Sequence, residues 1–319
     1  GLHHRPLGAV RGGARGVIVA MFPGQGAQAV GMGRALAESH ELARRAFEEA
    51  DDVLGYALSD VCFAGPAERL TATDVCQPAL VTVSVAAWRV AREEAGLEPG
   101  LMMGHSLGEY SALVAAGAMS FADALRITAE RGAAMRAAGR VAPGAMAALL
   151  GASDADAEAL AAEAGDAWPA NYNCPTQVVI SGSLEGIDRL EGLAVARGVR
   201  VARLQVDGAF HSPLMAPAAE RLRPALAAWE PAPPAPPFLS TTTCAVEPPE
   251  RLRDVLLGQL TSPVRFGAAV ERALEMGART FVELGPGRVL SGLVRRVRRD
   301  AGVVQVGEPS DLAALQAAA

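Results

Sequence analysis

A short serine motif flanked by glycines is the first feature of the sequence that indicates chemistry. Ser106 lies at the centre of Gly104-His105-Ser106-Leu107-Gly108, which fits the G-x-S-x-G pattern of a nucleophile elbow. Glycines at both ends permit a sharp turn that raises the hydroxyl above a sheet, at a helix N-terminus that favours developing negative charge. The motif predicts a nucleophilic serine, and an ordinary turn serine is the alternative that the pattern leaves open.

A nucleophilic serine needs a base, and the chain has five histidines. Three are poor candidates because they lie in the N-terminal stretch or on a polar, solvated helix face: His3, His4 and His40. His105 is adjacent to Ser106, and neighbouring side chains at a tight turn point apart, so we expect it to pack or to cap. His211 remains as the predicted base, with a helix-capping loop histidine as the alternative. The third member of the site is either an acid outside any recognisable motif or a backbone carbonyl.

Strands and helices alternate from residue 17 onward, as they do in a parallel sheet covered by helices. The predicted elements in the first half are a strand at 17–22, helices at 34–54 and 79–95, a strand at 101–103 and a helix from Glu109. The alternation resumes near the C-terminus with a strand at 280–284, a helix at 288–299 and a strand at 303–306. The predicted fold class is therefore α/β, with a strand, a tight turn and a helix around Ser106.

The middle of the chain has a different rhythm. Its predicted elements are a strand at 145–150, a helix capped by Ser153, strands at 168–172 and 177–180, a helix at 184–197 and a strand at 199–206. This βαββαβ order is that of a ferredoxin-like unit. We therefore expect a large α/β subdomain at 17–140 and 208–319, an inserted small subdomain at 141–207, and a flexible arm or cloning remnant at 1–16.

Composition and charge exclude several classes of protein. A formal charge of −6 provides no net positive field for a nucleic acid, and no apolar run approaches the roughly 20 residues that span a bilayer. The four cysteines are far apart in sequence and form no C-x-x-C pair, which argues against a disulfide framework and a metal site: Cys62, Cys76, Cys174 and Cys244. We therefore expect a cytoplasmic protein without a bound metal.

Four motifs, in this order, carry a resemblance to a known family. They are Phe22-Pro23-Gly24-Gln25-Gly26-Ala27-Gln28, Gly104-His105-Ser106-Leu107-Gly108-Glu109-Tyr110-Ser111-Ala112-Leu113, Gly208-Ala209-Phe210-His211-Ser212-Pro213-Leu214-Met215 and Glu283-Leu284-Gly285-Pro286-Gly287. Together they closely resemble the malonyl-CoA:acyl carrier protein transacylases and the acyltransferase domains of polyketide synthases. The resemblance runs from about residue 17 to the C-terminus and implies a hydrolase-like core with a ferredoxin-like insertion.

The resemblance also implies roles for individual residues. Ser106 would be the acylated nucleophile, and His211 would be its general base and later the acid for the leaving thiol. The backbone N–H groups of Gln25 and Leu107 would form the oxyanion hole. Arg131 would bind the free carboxylate of malonate, whereas without the motif context it would be interpreted as a helix-surface arginine.

Further residues would shape the cleft. By the same resemblance, a backbone carbonyl from the loop 262–266 would orient the histidine, Asn173 would lie where the small subdomain faces the cleft, and Gln28 would contact substrate. A turn asparagine is an equally good interpretation of Asn173. Phe210 would fill the space that an α-methyl branch needs and so favour malonyl over methylmalonyl units, with core packing as its alternative role.

One departure from the family pattern lies in the loop 262–266. The family usually carries glutamine and tryptophan where Arg265 and Phe266 stand in this chain. A backbone carbonyl does not depend on its own side chain, so the departure bears only on the shape of the cleft.

The implied activity is transfer of a malonyl group from malonyl-CoA to the phosphopantetheine thiol of an acyl carrier protein, by a ping-pong serine-ester mechanism in fatty acid or polyketide synthesis. No bound cofactor is implied. An acyl hydrolase that edits stalled carriers is the alternative on the same scaffold, and Arg131 weighs against it because a neutral acyl chain would leave the cation unpaired. A non-catalytic docking module is a third interpretation, against which the Ser106 and His211 pair argues.

A cluster of arginines near the C-terminus is the candidate surface for the carrier protein. Arg295, Arg296 and Arg298 lie on or near the predicted helix at 288–299, and carrier proteins are acidic, so the cluster could steer the second substrate. Arginines that complement the C-terminal dipole of a solvated helix are the alternative. The resemblance favours a discrete, monomeric enzyme.

Overall fold

The computed structural model describes residues 16–206 and 208–318, so the predicted arm at 1–16 lies, apart from Gly16, outside the described residues. The strands are β1 (Val17–Phe22), β2 (Leu101–Gly104), β3 (Gly144–Leu150), β4 (Ala167–Cys174), β5 (Gln177–Ser183), β6 (Arg200–Arg203), β7 (Ala278–Leu284) and β8 (Gly302–Val306). The first helices are α1 (Arg34–Ser39), α2 (Glu41–Leu54), α3 (Leu58–Ala64), α4 (Ala67–Thr71), α5 (Thr73–Glu93), α6 (Gly108–Ala115) and α7 (Phe121–Val141). The remaining helices are α8 (Asp154–Ala164), α9 (Leu184–Ala196), α10 (Ala216–Ala228), α11 (Leu252–Gln259), α12 (Phe266–Glu275), α13 (Val289–Val297) and α14 (Leu312–Ala318).

A four-stranded parallel sheet forms the centre of the large subdomain, in the order β2-β1-β7-β8. Successive side chains of a strand point to opposite faces, and β1 follows this rule. Ala20 and Phe22 face a core built with α2, α5 and α7, while Val19 and Met21 face one built with α12 and α13. Helices thus cover both faces, which explains why β1 is almost continuously apolar.

Three of the four motifs meet at one edge of this sheet. β1 ends at Phe22, β2 ends at Gly104 and β7 ends at Leu284, and the carboxyl ends of parallel strands lie at the same edge. The segments that follow β1 and β7 are in close contact, since a Cβ added at Gly285 would lie 3.0 Å from a ring carbon of Pro23. The parallel topology therefore gathers segments that are far apart in sequence into one site.

The second sheet is antiparallel, in the order β4-β5-β3-β6. One face packs against α8 and α9 through residues such as Ala147 and Leu149. The other face, with Met146 and Ala148, joins the core of the large subdomain. The predicted α/β class and the βαββαβ insertion are confirmed, and we propose 141–207 as the limits of the small subdomain.

Several element boundaries differ from the predictions. The predicted helix at 34–54 is two helices, because His40 has an extended backbone (φ −131°, ψ 122°). His40 therefore lies between two helices rather than on a helix face, and its ring, 16% exposed, places Nδ1 2.6 Å from Glu94 Oε2. The predicted helix at 79–95 begins earlier, at Thr73, and contains Pro78 near its N-terminus, where the missing N–H removes a single hydrogen bond.

The element after β7 is shorter than predicted. The helix predicted at 288–299 ends at Val297, and Arg298 follows with an extended backbone (φ −139°, ψ 106°).

The helices of the described residues include no candidate for a membrane span, because each is too short or too polar.

Candidate active site

Ser106 lies on a tight turn between β2 and α6. Its backbone is left-handed (φ 52°), a conformation that residues with a side chain seldom adopt. A Cβ added at Gly104 would lie 2.1 Å from the carbonyl carbon of Gly108, and one added at Gly108 would lie 2.0 Å from the Phe22 oxygen. Only glycine fits at both ends of the turn, which therefore presents the serine hydroxyl at the carboxyl edge of the sheet.

The serine hydroxyl contacts the histidine predicted as its base. Ser106 Oγ lies 2.8 Å from His211 Nε2, although the two residues are 105 positions apart. The His211 ring is buried, and its Nδ1 lies 2.9 Å from the backbone oxygen of Gln259. A carbonyl can only accept a hydrogen bond, so Nδ1 carries the proton and Nε2 is free to accept one from Ser106.

Burial keeps His211 uncharged. Removal from water, together with the nearby positive charge of Arg131, lowers the pKa of His211 to about 3. The imidazole is consequently neutral near pH 7, the state required of a general base.

The carbonyl that orients His211 is not in the loop 262–266. It belongs to Gln259, the last residue of α11, and the Ser262 backbone makes only a smaller contribution to the pKa of His211. The loop has another use, because Val264 hydrogen-bonds to the edge of β4, donating to Ala170 at 2.8 Å and accepting from Tyr172 at 2.8 Å. It joins the two subdomains and leaves the orientation of the histidine to the preceding helix end.

Arg131 lies beside the nucleophile and not on a helix surface. The residue is 1% exposed on α7, and its Nη2 lies 3.3 Å from Ser106 Oγ. Nη1 donates to Gln77 Oε1 at 2.8 Å, and Nη2 donates to Gln259 Oε1 at 2.9 Å. All three acceptors are uncharged, so the site holds a buried cation that an anionic acyl group would neutralise.

The predicted oxyanion-hole groups line the same cavity as Ser106. Gln25 and Leu107 both border it, and within residues 16–206 and 208–318 neither backbone N–H donates to another protein group. The two loops are in close contact, since a Cβ at Gly24 would lie 2.5 Å from the His105 oxygen. Two free N–H groups, one of them at the start of α6, suit a developing oxyanion.

The cavity at the nucleophile has a volume of about 70 Å³. Phe210, which is 5% exposed, forms part of its wall together with Met146 of the small subdomain. It adjoins a more polar cavity of about 350 Å³, with which it shares Gln25 and Val206. A larger cavity of about 610 Å³ lies elsewhere, between β4 and α12, and is not bordered by the serine or the histidine.

Comparison with known proteins identifies the family. The sequence model of the acyl transferase domain matches residues 19–310. The chain belongs to this family. The malonyl CoA-acyl carrier protein transacylase of Bacillus subtilis (strain 168) is 44% identical over 304 residues, which are 92% of this chain and 95% of that protein.

Solved structures show the same relationship. The acyl-carrier-protein S-malonyltransferase of Bartonella henselae is 40% identical and superposes with a TM-score of 0.90, over 95% of this chain and 99% of that one. A malonyl transacylase solved in complex with a type II polyketide synthase acyl carrier protein is 38% identical, with a TM-score of 0.92 over 94% of this chain and 99% of that one.

Two residues of this acyl transferase that were expected at the substrate lie outside the cavity. Asn173 Oδ1 is 2.8 Å from His105 Nε2, so the side chain links the small subdomain to the half-buried His105. Gln28 Oε1 accepts a hydrogen bond of 2.7 Å from the backbone N–H of Gly26 and closes its own turn. Neither residue borders the cavity of the acyl transferase.

Asn171 takes the place expected for Asn173. It borders the cavity, is buried, and its Oδ1 has no hydrogen-bond partner within the described part of the chain. Residues two apart on a strand share a face, so alternation alone does not distinguish the two asparagines. The signal that decides between them is tertiary, because only one of the two meets His105.

The arginine cluster lies at the end of α13, where all three side chains are exposed. Arg296 Nη1 donates to Gln177 Oε1 at 2.6 Å, and Arg298 Nη2 lies 3.6 Å from Glu271 Oε2. Arg298 is beyond the helix, so the cluster of this acyl transferase is a helix end with an extended continuation and not a single helical face.

Proposed function

We propose that this acyl transferase moves a malonyl group from malonyl-CoA to the phosphopantetheine thiol of an acyl carrier protein, in fatty acid or polyketide synthesis. The observation that carries the proposal is the buried Arg131 guanidinium, which lies 3.3 Å from the Ser106 hydroxyl and whose hydrogen-bond acceptors among the described residues are all uncharged. The names of the relatives support it, since they are malonyl transacylases and one was solved with a carrier protein.

The first half-reaction forms a serine ester. His211 Nε2 accepts the hydroxyl proton of Ser106 while Oγ bonds to the thioester carbonyl carbon, whose oxygen becomes an oxyanion between the N–H groups of Gln25 and Leu107. When the intermediate collapses, the carbon–sulfur bond breaks and His211 returns the proton to the coenzyme A thiolate. The carboxylate of the malonyl group meanwhile pairs with Arg131.

The second half-reaction uses the same groups in reverse. His211 accepts the proton of the carrier's phosphopantetheine thiol, and the sulfur attacks the ester carbonyl. The carbon–oxygen bond to Ser106 then breaks, and the serine recovers its proton from His211. The cavity of about 350 Å³ that adjoins the site through Gln25 and Val206 is where we place the approaching pantetheine arm.

One experiment tests the reaction class. The protein is incubated with malonyl-CoA, and its intact mass is measured with and without carrier protein. A stable malonyl adduct that only the carrier discharges supports transfer. Rapid discharge by water would instead identify a hydrolase, and the absence of an adduct would identify a docking module.

Arg131→Ala is expected to slow malonyl transfer about 10- to 150-fold relative to acetyl transfer. The physical reason is loss of a charge-assisted hydrogen bond to the carboxylate, worth about 1.5–3 kcal/mol. The measurement is the ratio of the rates of serine acylation from malonyl-CoA and acetyl-CoA. Arg126→Ala is the control, because Arg126 lies on the same helix, is exposed, and faces Asp123 at 3.7 Å. Equal slowing of both acyl groups would show that Arg131 only holds the structure.

Phe210→Ser is expected to lower the preference for malonyl over methylmalonyl units. The ring borders the cavity, and one methyl group in a close-fitting pocket is worth about 1–3 kcal/mol. The malonyl-to-methylmalonyl preference is therefore expected to fall by at most about 200-fold. The fall is smaller if the rest of the pocket stays narrow. The measurement is the ratio of the two serine adducts when both thioesters compete. If Phe210 instead serves core packing, the variant loses thermal stability and the ratio stays unchanged.

We propose that the arginine cluster receives the acidic carrier protein. Reversing Arg295 and Arg298 to glutamate is expected to raise the KM for the carrier and to flatten its salt dependence, while acylation by malonyl-CoA is unaffected. Steady-state kinetics at several salt concentrations measure both effects. The matched control reverses Arg44 and Arg45 on α2 to glutamate, because α2 packs on the opposite face of the parallel sheet from α13. An unchanged KM would place the docking surface elsewhere.

We further propose that the chain works as a cytoplasmic monomer without a bound cofactor. Nucleophile, base, oxyanion donors and carboxylate-binding arginine all come from one chain and border one cavity. The chemistry described above uses no group beyond these residues and the two thioester substrates.

A further inference from the structure

Glu109 is a buried carboxylate beside the active site that the steps above do not use. It lies on α6, three residues after Ser106, and is 0% exposed. Its Oε1 accepts hydrogen bonds from the backbone N–H of Thr241 at 2.6 Å and from the Ser240 hydroxyl at 3.0 Å. The Thr241 hydroxyl lies 3.0 Å from the same oxygen and 2.9 Å from the Gly104 carbonyl oxygen. Glu109 Oε2 accepts one hydrogen bond from Gln259 Nε2 at 2.7 Å. The Thr241 N–H and the Gln259 amide nitrogen can only donate, one to each carboxylate oxygen, which suits an ionised carboxylate because it can only accept.

The side chain of Gln259 connects this carboxylate to Arg131. Gln259 Nε2 donates to Glu109 and also to the backbone oxygen of Ser106, at 3.0 Å. Gln259 Oε1 accepts from Arg131 Nη2 at 2.9 Å. A primary amide has one donating end and one accepting end, so the group that faces one end determines what the other end presents to the guanidinium.

We propose that Glu109 is a positioning residue for recognition of the acyl carboxylate. By accepting from Gln259 Nε2, it keeps Gln259 Oε1 turned toward Arg131 and so holds the guanidinium beside Ser106. With the amide reversed, two donors would face each other at Arg131, and the Ser106 carbonyl would lose its donor. The inference rests on the proposed function, because it assigns Glu109 to the carboxylate-binding part of that site.

Glu109→Gln tests the proposal with almost no change of shape. The new amide must keep its oxygen toward the donors of Thr241 and Ser240, so its nitrogen opposes Gln259 Nε2. Relief requires the Gln259 amide to turn, which places its nitrogen against Arg131. We expect the rate of adduct formation from malonyl-CoA to fall about tenfold or more relative to that from acetyl-CoA, the size of one hydrogen bond to a charged group. The assay is run at about pH 8, because burial raises the pKa of Glu109 to about 7 and the carboxylate must be ionised.

Two further variants make the result specific. Gln259→Met removes the amide but keeps the backbone carbonyl that orients His211, and we expect the malonyl-to-acetyl ratio to fall in the same direction. Glu283→Gln is the matched control, because Glu283 is also 0% exposed and accepts hydrogen bonds from Leu290 and Ser291. Its expected ratio is that of the wild type. Thermal unfolding identifies any variant that has not folded.

The outcomes separate the two claims. A wild type that forms no malonyl adduct contradicts the proposed function and this inference with it. If the wild type forms the adduct but Glu109→Gln and Gln259→Met keep its malonyl-to-acetyl ratio, the positioning role is overturned and the proposed function stands. A fall of the same size in Glu283→Gln also overturns it, since any buried carboxylate would then suffice. If Glu109→Gln does not fold, the ratio in Gln259→Met decides.

Discussion

Ser106→Ala is expected to abolish both formation of the malonyl adduct and transfer to the carrier. The substitution removes the only protein atom that bonds to the acyl group in the proposed mechanism, so no serine ester forms. Intact mass after incubation with malonyl-CoA measures the first step, and carrier loading measures the second. The free energy of unfolding should change little, because the alanine remains in the same turn between β2 and α6.

A second serine on the same helix provides the control for this variant. Ser111 lies on α6 and is 1% exposed, so Ser111→Ala removes a buried hydroxyl a short distance from the nucleophile. We expect it to retain the adduct. An adduct of normal yield in Ser106→Ala would assign acylation to a different residue and refute the proposed nucleophile.

His211→Ala is expected to slow acylation by about 10²- to 10⁴-fold, the usual cost of losing a general base. The remaining activity would come from the oxyanion hole and from Arg131, which do not depend on the imidazole. Single-turnover measurement of adduct formation gives the rate directly. His40→Ala is a suitable control, because His40 pairs with Glu94 and does not border the active-site cavity. Unchanged acylation in His211→Ala would show that His211 is not the general base for Ser106.

The parts of the site that the sequence made predictable are those carried by local patterns. The glycines around Ser106 indicate a turn that only glycine fits, and a strand followed by a helix indicates where this turn lies. Elimination among five histidines selects His211, and the structure places its Nε2 2.8 Å from the serine hydroxyl.

The parts that could not be predicted depend on tertiary contacts with no local signature. The carbonyl that orients His211 belongs to Gln259, and any residue can supply a backbone carbonyl, so residue type carries no signal. The polar face expected for His40 does not form, because His40 lies between two helices and its ring contacts Glu94, which is 54 residues away. Asn173 was expected at the substrate from the resemblance, but its side chain contacts His105 while Asn171 borders the cavity, a difference that strand alternation does not show.

The left-handed backbone of Ser106 has a counterpart in His211, which has φ 57°. For a residue with a Cβ this conformation costs roughly 1–2 kcal/mol, and a domain of ordinary stability has only about 5–15 kcal/mol in total. The backbone conformations of both members of the proposed catalytic pair thus lower the free energy of unfolding of the chain. Selection for activity therefore opposes selection for thermostability at these two positions, and substitutions that stabilise the fold have to accumulate elsewhere.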